Sequence, residues 1–163
     1  MTKSRPYTIR EFSGDDIEPF RNLLSLFGEA FEDLATYSGA QPGDAYLRDF
    51  LSRDHIVVLA AIAANKVIGG LVAYELMKFE RERSEFYIYD LAVAEPHRRK
   101  GVGTALIREL QEIASNRGAF VIFVQADQTD PPAIELYSKL GMRENVLYFD
   151  IEVPAKKSAA SSD

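Results

Sequence analysis

The sequence predicts an α/β protein built on a mixed sheet, and three stretches carry that expectation. Residues 55–77, HIVVLAAIAANKVIGGLVAYELM, read as two apolar strands joined by a turn at Asn65-Lys66, an antiparallel hairpin. Residues 85–93, EFYIYDLAV, are aromatic and branched as strands are, and run through a glycine loop into apolar residues at helical spacing. Residues 120–126, FVIFVQA, return as a near-continuous apolar run, the pattern of a strand buried on both faces beside a parallel partner. The last two stretches and the helix between them make a βαβ unit.

The other elements follow in order. YTIREF at residues 7–12 alternates apolar and polar side chains as a first strand, and Asp15-Asp16 open a helix with Ile17, Phe20, Leu24, Phe27 and Phe31 at apolar positions. SGAQPG breaks that helix, and Asp44 is expected to cap a short one carrying Tyr46, Leu47, Phe50 and Leu51. The helix of the βαβ unit spans 102–117, with Ala105, Leu106, Leu110, Ile113 and Ala114 inward and Gly118 as its stop. Asp130 and Pro131 suit the cap and first turn of a further helix with Ala133, Leu136, Tyr137 and Leu140, ended by Gly141. NVLYFDIEV supplies a final strand, and the small, polar PAKKSAASSD after it is expected to fray. A single domain over 1–153 with a tail at 154–163 is the expected organisation.

Composition bounds the chemistry. A chain of 163 residues with 47% hydrophobic content is long enough for one domain with a real core. The absence of cysteine excludes disulfides and thiolate zinc sites, and His55 and His97 are the only imidazoles, so no metal site is expected. The longest apolar run, 56–64, is too short to span a membrane, and MTKSRPYTIREF lacks the apolar core of a signal peptide, so a soluble cytoplasmic protein is expected, without membrane partners. A net charge of −6 argues against nucleic acid as a partner, because neutralising phosphates needs a basic face. Charge is also unevenly placed: residues 11–33 hold seven acids against Arg21, whereas 97–108 hold Arg98, Arg99, Lys100 and Arg108 and no acid. One region suits cations and the other an anion.

The basic run HRRKGVG lies between a strand and the first turn of a helix, which marks it as an anion site. A helix start exposes N–H groups without internal partners and carries partial positive charge, and Gly101 and Gly103 lack the Cβ that would keep a phosphate from the backbone. Diphosphate is the natural ligand. The loop is not a dinucleotide fingerprint, which needs a third glycine in the first βα turn, nor a P-loop, which needs Gly-Lys-Ser/Thr.

The pattern Arg98-x-x-Gly101-x-Gly103 after DLAV resembles the GCN5-related N-acetyltransferase superfamily, and so do LAVAEPHRRKGVGTALI and DPPAIELYSKLGM over almost the whole order of elements. That resemblance implies a central, mostly antiparallel sheet with a parallel βαβ pair at an acetyl-CoA groove. Acetyl-CoA would then be the acetyl donor. Leu91, Ala92 and Val93 would pair with its pantetheine arm, and the backbone of Arg98, Arg99, Lys100, Gly101, Val102, Gly103 and Thr104 would hold its pyrophosphate. Ala133 and Tyr137 would lie by the thiol. The family often has Asn where this chain has Asp130, which leaves open whether Asp130 meets the cofactor or the substrate. FEDLATYSGAQPGDAYL, SEFYIYDLAV, FVQADQTDPPA and LYFDIE look, more narrowly, like the aminoglycoside 3-N-acetyltransferases of gentamicin resistance. The substrate implied is a small polycationic aminoglycoside, and a homodimer is an open possibility.

The residues themselves suit acyl transfer from a thioester to an amine, which needs an oriented donor, a neutral amine and a proton for the departing thiolate. Tyr137 is the candidate acid; by spacing alone it is equally a core tyrosine on an apolar helix face. Asp90 is the candidate base, an acid in a strand of otherwise buriable residues; the alternative is an acid paired with arginine for structure. Asp90, Asp127, Asp130 and Asp150 are the candidate ligands for substrate ammonium groups. The competing readings are acetylation of protein lysines, N-termini or polyamines, and a non-catalytic sensor of acyl-CoA.

Overall fold

A computed structural model describes residues 4–156. Five strands form one sheet in the order β1-β2-β3-β4-β5. They are β1 (Thr8–Glu11), β2 (Ile56–Ala63), β3 (Lys66–Met77), β4 (Ser84–Val93) and β5 (Ala119–Val124). The first three pairings are antiparallel and β4 pairs with β5 in parallel, so the mixed sheet and the βαβ unit stand as the sequence predicts. The helices are α1 (Ile17–Ala30), α2 (Leu34–Ser38), α3 (Asp44–Leu51), α4 (Val102–Asn116) and α5 (Pro131–Leu140).

The two faces of the sheet hold separate cores. On one, Leu106, Ile107, Leu110 and Ala114 of α4 pack against Val57, Leu59, Leu71, Phe86 and Ile88, with Leu136, Tyr137 and Leu140 of α5 beside them. On the other, Phe20, Leu23, Leu26 and Phe27 of α1 and Leu47 and Leu51 of α3 cover Val58, Ala60, Val72 and Ala92. Each Val, Leu, Ile or Phe side chain so removed from water contributes about 1.5–3 kcal/mol before entropy is counted, so these amphipathic stripes fix the helices to the sheet.

Several expectations need correction. The hairpin turns on Ala64-Asn65, both at positive φ, one residue before the expected Asn65-Lys66. Gly43, not Asp44, is the N-cap of α3; Asp44 is its first residue and accepts a hydrogen bond from Arg21. Helix α2 was not expected at all: its five residues bury no side chain and carry no apolar period. Strand β5 has the expected parallel partner but is not buried on both faces, because it forms the sheet edge and leaves Phe120 and Val121 more than 40% exposed. The final strand over 145–153 is absent: these residues follow α5 as an exposed arm that makes no backbone hydrogen bond among the described residues. Of the tail expected to fray, residues 157–163 lie outside the described residues.

Candidate active site

The site begins at an irregularity in β4. Val72 pairs with Asp90 and Ala73 with Ile88, so Tyr89 is the extra residue of a β-bulge. Side chains alternate along a strand, and an extra residue reverses which face each later one meets. Before the bulge, Phe86 and Ile88 face the α4 core; after it, Leu91 and Val93 face that core, while Ala92 faces the α1 side. Asp90 thus points to the side of α1 and α2, not into the α4 core. There Tyr37 of α2 donates its hydroxyl to Asp90 Oδ2 at 2.7 Å.

Tyr37 is fixed by aromatic neighbours, its ring centroid lying 6.0 Å from that of Phe27 and 5.7 Å from that of Phe31. Asp33 caps α2 by accepting from the Thr36 amide, which starts the short helix that presents Tyr37. Burial pushes the Asp90 carboxyl above the usual range, while the Tyr37 hydrogen bond pulls it back. The same pair raises the Tyr37 phenol, by burial first and then by its bond to Asp90, so Tyr37 stays a proton donor.

Beyond the Ile88–Val124 pair the parallel ladder ends, although β4 continues to Val93. The two strands therefore part. Between them lies a cleft of about 160 Å³, lined by Asp90 and Leu91 of β4, by Asp127 and Asp130 after β5, and by Ala133 and Tyr137 of α5, with Phe31, Tyr89 and Gln125 at its sides. A larger hollow of about 290 Å³ near β1 shares no residue with this cleft, and its Arg117 is already bonded to Glu75 and the Asp54 carbonyl, so size alone does not mark the chemistry.

Helix α5 starts at Asp130, whose Oδ1 accepts from the Ala133 amide at 3.2 Å, and Pro131 occupies the first turn, as the sequence predicts. That start sets Tyr137, two turns along, at the cleft wall. Burial, followed by the charges of Asp130 and Asp90, pushes the Tyr137 phenol up to about 12. It is a protonated phenol at neutral pH. Asp127 is solvent-facing and held below the usual carboxylate range by hydrogen bonds from the Thr129 amide and hydroxyl at 2.8 and 2.7 Å.

The basic loop follows β4 directly. Arg98 Nε donates to the Val93 carbonyl and Lys100 Nζ to the Pro96 carbonyl, both at 2.9 Å, which folds the loop back on itself. Gly101, the residue before α4, has φ +80, a left-handed conformation that side chains disfavour, and the space where a Cβ would stand is open. The Arg98 amide, expected among the phosphate donors, is already bonded to the Glu95 carbonyl at 3.2 Å, but among the described residues the amides from Lys100 to Thr104 find no acceptor. Gly101 and these amides therefore fit a diphosphate. Gly103 does something else: a Cβ there would meet Leu136 Cδ2 at 3.0 Å, so its lack of a side chain lets α5 pack close to α4. Val102 is 3% exposed and belongs to the core, offering only its amide, and Ala92 is likewise buried.

The structure thus brings Asp90, Asp127, Asp130, Ala133 and Tyr137 to one cleft and sets Leu91 on its wall. Asp150 does not line the cleft; on the arm after α5 it raises the neighbouring Tyr148 phenol by hydrogen bonding and charge, with Tyr89 of the cleft and Tyr87 adding to the shift. His97 lies in a 3-10 turn outside the cleft lining. Sequence reading missed Tyr37 and Gln125. Tyr37 lies 53 positions from Asp90, and no periodicity reports such a contact; FEDLATYSG only offers Asp33 as a cap signal just before it. Among the described residues no cluster of acids or histidines has the geometry of a metal site, and no helix is long and apolar enough to cross a membrane.

Residues 20–142 match the acetyltransferase (GNAT) family. The chain belongs to this family. A crystal structure of an aminoglycoside acetyltransferase from an uncultured soil metagenomic sample is 54% identical and superposes with a TM-score of 0.89 over 91% of this chain and 99% of that one. A second soil metagenomic aminoglycoside acetyltransferase, solved in complex with sisomicin, is 29% identical with a TM-score of 0.84, over 91% and 97% of the two chains. The streptothricin acetyltransferase of Streptomyces lavendulae is 29% identical over 63% of this chain and 48% of its own length. An uncharacterized N-acetyltransferase of Methanocaldococcus jannaschii is 28% identical over 86% of this chain, which spans 62% of that protein. The chain thus covers less than two thirds of these two curated relatives.

Proposed function

We propose that this protein transfers the acetyl group of acetyl-CoA to the 3-amine of a 2-deoxystreptamine aminoglycoside. The observation that carries the reading is the cleft itself: three carboxylates, Asp90, Asp127 and Asp130, meet a protonated Tyr137 beside a helix start with open amides. A polycation is the ligand such a cleft suits, since charge-assisted hydrogen bonds then replace hydration. The similarity to soil aminoglycoside acetyltransferases, one of them bound to sisomicin, supports the substrate class. The 3-amine rests on the resemblance of the four segments named above.

The cofactor would lie with its diphosphate on the amides from Lys100 to Thr104, its pantetheine along the unpaired edge at Leu91, Ala92 and Val93, and its thioester near Ala133 and Tyr137; acetyl-CoA supplies the acyl group as an activated thioester. Asp90 orients the reacting ammonium and, directly or through water, takes its proton. The freed lone pair forms the N–C bond as the C–S bond breaks, the Tyr137 hydroxyl protonates the departing sulfur, and the second proton lost by the new amide nitrogen restores the Tyr137 phenol through water. The raised carboxyl of Asp90 makes it a better base than an exposed aspartate, and burial keeps the Tyr137 proton in place.

The test is thiol release from acetyl-CoA on addition of gentamicin or sisomicin, with the product's acetyl position read by NMR. Asp90→Asn is expected to lower kcat/KM by roughly 10²-fold or more, and Tyr137→Phe to lower kcat by about as much with acetyl-CoA affinity retained. A protein that ignores every 2-deoxystreptamine drug but acetylates a lysine peptide would replace this reading with protein acetylation. One that binds acetyl-CoA and turns over no amine would be the sensor.

A further inference from the structure

Beside the cleft the sheet carries a row of aromatic side chains that the proposed chemistry leaves unused. Tyr74 of β3 pairs in register with Tyr87 of β4, and Tyr87 with Phe123 of β5, so three rings stand side by side across the strands. Tyr74 packs against the α1 and α3 core, which places the row on the face to which Asp90 points. Tyr87 and Phe123 are stacked, with centroids 4.8 Å apart and planes 7° from parallel. Tyr89, the extra residue of the bulge, meets Tyr74 and Tyr87 edge to face at 6.0 and 5.8 Å, so neighbours on two sides hold its ring. That ring is nevertheless 61% exposed.

The row is continuous with the cleft. Tyr89 lines it next to Asp90, and so does Gln125, whose Oε1 accepts from the Tyr87 hydroxyl at 2.9 Å. That bond takes the side-chain carbonyl of Gln125 and leaves its amide N–H groups to donate. The ring faces are also free of the chain's own cations. Among the described residues Arg10, Arg83 and Arg117 lie over Phe12, Phe120 and Phe86, and no cation lies over Tyr74, Tyr87, Tyr89 or Phe123.

We infer, on the basis of the proposed acetyl transfer, that this aromatic shelf is the subsite for the amino sugar that a 2-deoxystreptamine drug carries on the ring carbon beside its reacting amine. Asp90 and Tyr89 are neighbours in β4, so an amine held at the Asp90 carboxylate brings the sugar on the adjacent carbon against the Tyr89 ring. The C–H face of a sugar packs on an aromatic face, and an ammonium group is drawn to the negative face of a ring within about 6 Å of its centroid. The Gln125 amide can donate to a sugar hydroxyl. Charge selects this occupant. The cleft lining holds three carboxylates and no lysine or arginine, so an uncharged apolar partner would strip water from acids it cannot pair, whereas a cationic sugar satisfies acids and rings together.

The test gives the full chain two substrates at saturating acetyl-CoA: neamine, in which 2-deoxystreptamine carries that amino sugar alone, and 2-deoxystreptamine itself. Tyr89→Leu keeps apolar bulk and removes the π-face, and is expected to lower the ratio of kcat/KM for neamine to kcat/KM for 2-deoxystreptamine roughly tenfold. Phe123→Leu is expected to lower it severalfold, and Tyr89→Phe, which keeps the ring, to hold it within about twofold. A ring that serves packing alone lowers both rates together, so a ratio unmoved by Tyr89→Leu overturns the subsite and leaves the acetyl transfer standing. Saturation-transfer NMR on the wild type with neamine, irradiating aromatic protons, is the second measurement. It is expected to label the sugar protons more strongly than those of the deoxystreptamine ring, and the reverse order overturns the subsite. A protein that acetylates no 2-deoxystreptamine amine defeats the acetyl transfer, and the order of labelling then judges the shelf by itself; no transfer of saturation to neamine defeats both.

Discussion

Asp90 and Tyr37 act on each other through one hydrogen bond, and that bond can be read in a pH profile. Burial raises the Asp90 carboxyl, and the Tyr37 hydroxyl opposes the rise by stabilising the carboxylate. A base works only when deprotonated, so kcat/KM should climb as pH rises through the Asp90 pKa. Tyr37→Phe keeps the ring that packs on Phe27 and Phe31 but removes the donor. The carboxyl then loses its one stabilising bond, its pKa rises further, and the acidic limb of kcat/KM is expected to move to higher pH while the plateau falls only a fewfold. A ring needed only for packing would leave the limb in place. Asp90→Asn should abolish the limb altogether.

At the scale of elements, what the sequence tells depends on whether a pattern has one physical cause. The helical periods of α4 and α5 and the Asp130-Pro131 start have one cause, and the structure holds those helices where they were read; α1 also stands, but Leu23 and Leu26 are buried where Leu24 and Phe31 were expected, and Phe31 lies past its end and is exposed. A continuous apolar run has two causes, since FVIFV suits a buried strand and a strand at the sheet edge alike. Alternation in NVLYFDIEV likewise states that a segment can be a strand, but among the described residues it pairs with none. Helix α2 is too short for any period, and with it Tyr37 stayed hidden, although Asp90 itself was legible as a lone acid in an apolar strand. The bulge at Tyr89 that aims Asp90 left no mark in the residue types. The loop before α4 was legible as an anion site, but the structure divides its glycines. Gly101 faces open space and Gly103 faces α5. Gly101→Glu therefore adds strain at φ +80, bulk and a negative charge where the amides are free, and is expected to weaken acetyl-CoA binding at least 100-fold by calorimetry, with the fold retained. Unchanged affinity in a folded variant would take the diphosphate away from this loop.

Across the whole molecule, charge is arranged as a gradient between the two ligands of the proposed reaction. The net charge is −6, yet Arg98, Arg99 and Lys100 sit just before α4 and Arg108 within it, without an acid among them. Helix α1 spans the acidic half: Asp16 at its start is bound to Arg10, while Glu29, Glu32 and Asp33 cluster at its end, next to Phe31 of the cleft. Only the latter acids are placed to add to the field of Asp90, Asp127 and Asp130. Exposed charges act over a Debye length, which shrinks from roughly 20 Å at 0.02 M salt to about 4 Å at 0.5 M. A polycation approaching an acidic cleft should feel that change strongly, because each of its ammonium groups loses attraction and its encounter rate falls. At saturating acetyl-CoA, raising salt over this range is therefore expected to raise KM for a 2-deoxystreptamine drug roughly tenfold, with kcat nearly constant because the reacting pair is desolvated. Neutralising the end of α1 by Glu29→Gln with Glu32→Gln should reduce that salt dependence without altering kcat. A KM indifferent to salt would mean that the acids of α1 serve solubility alone and that the cleft recognises its substrate by shape and short hydrogen bonds.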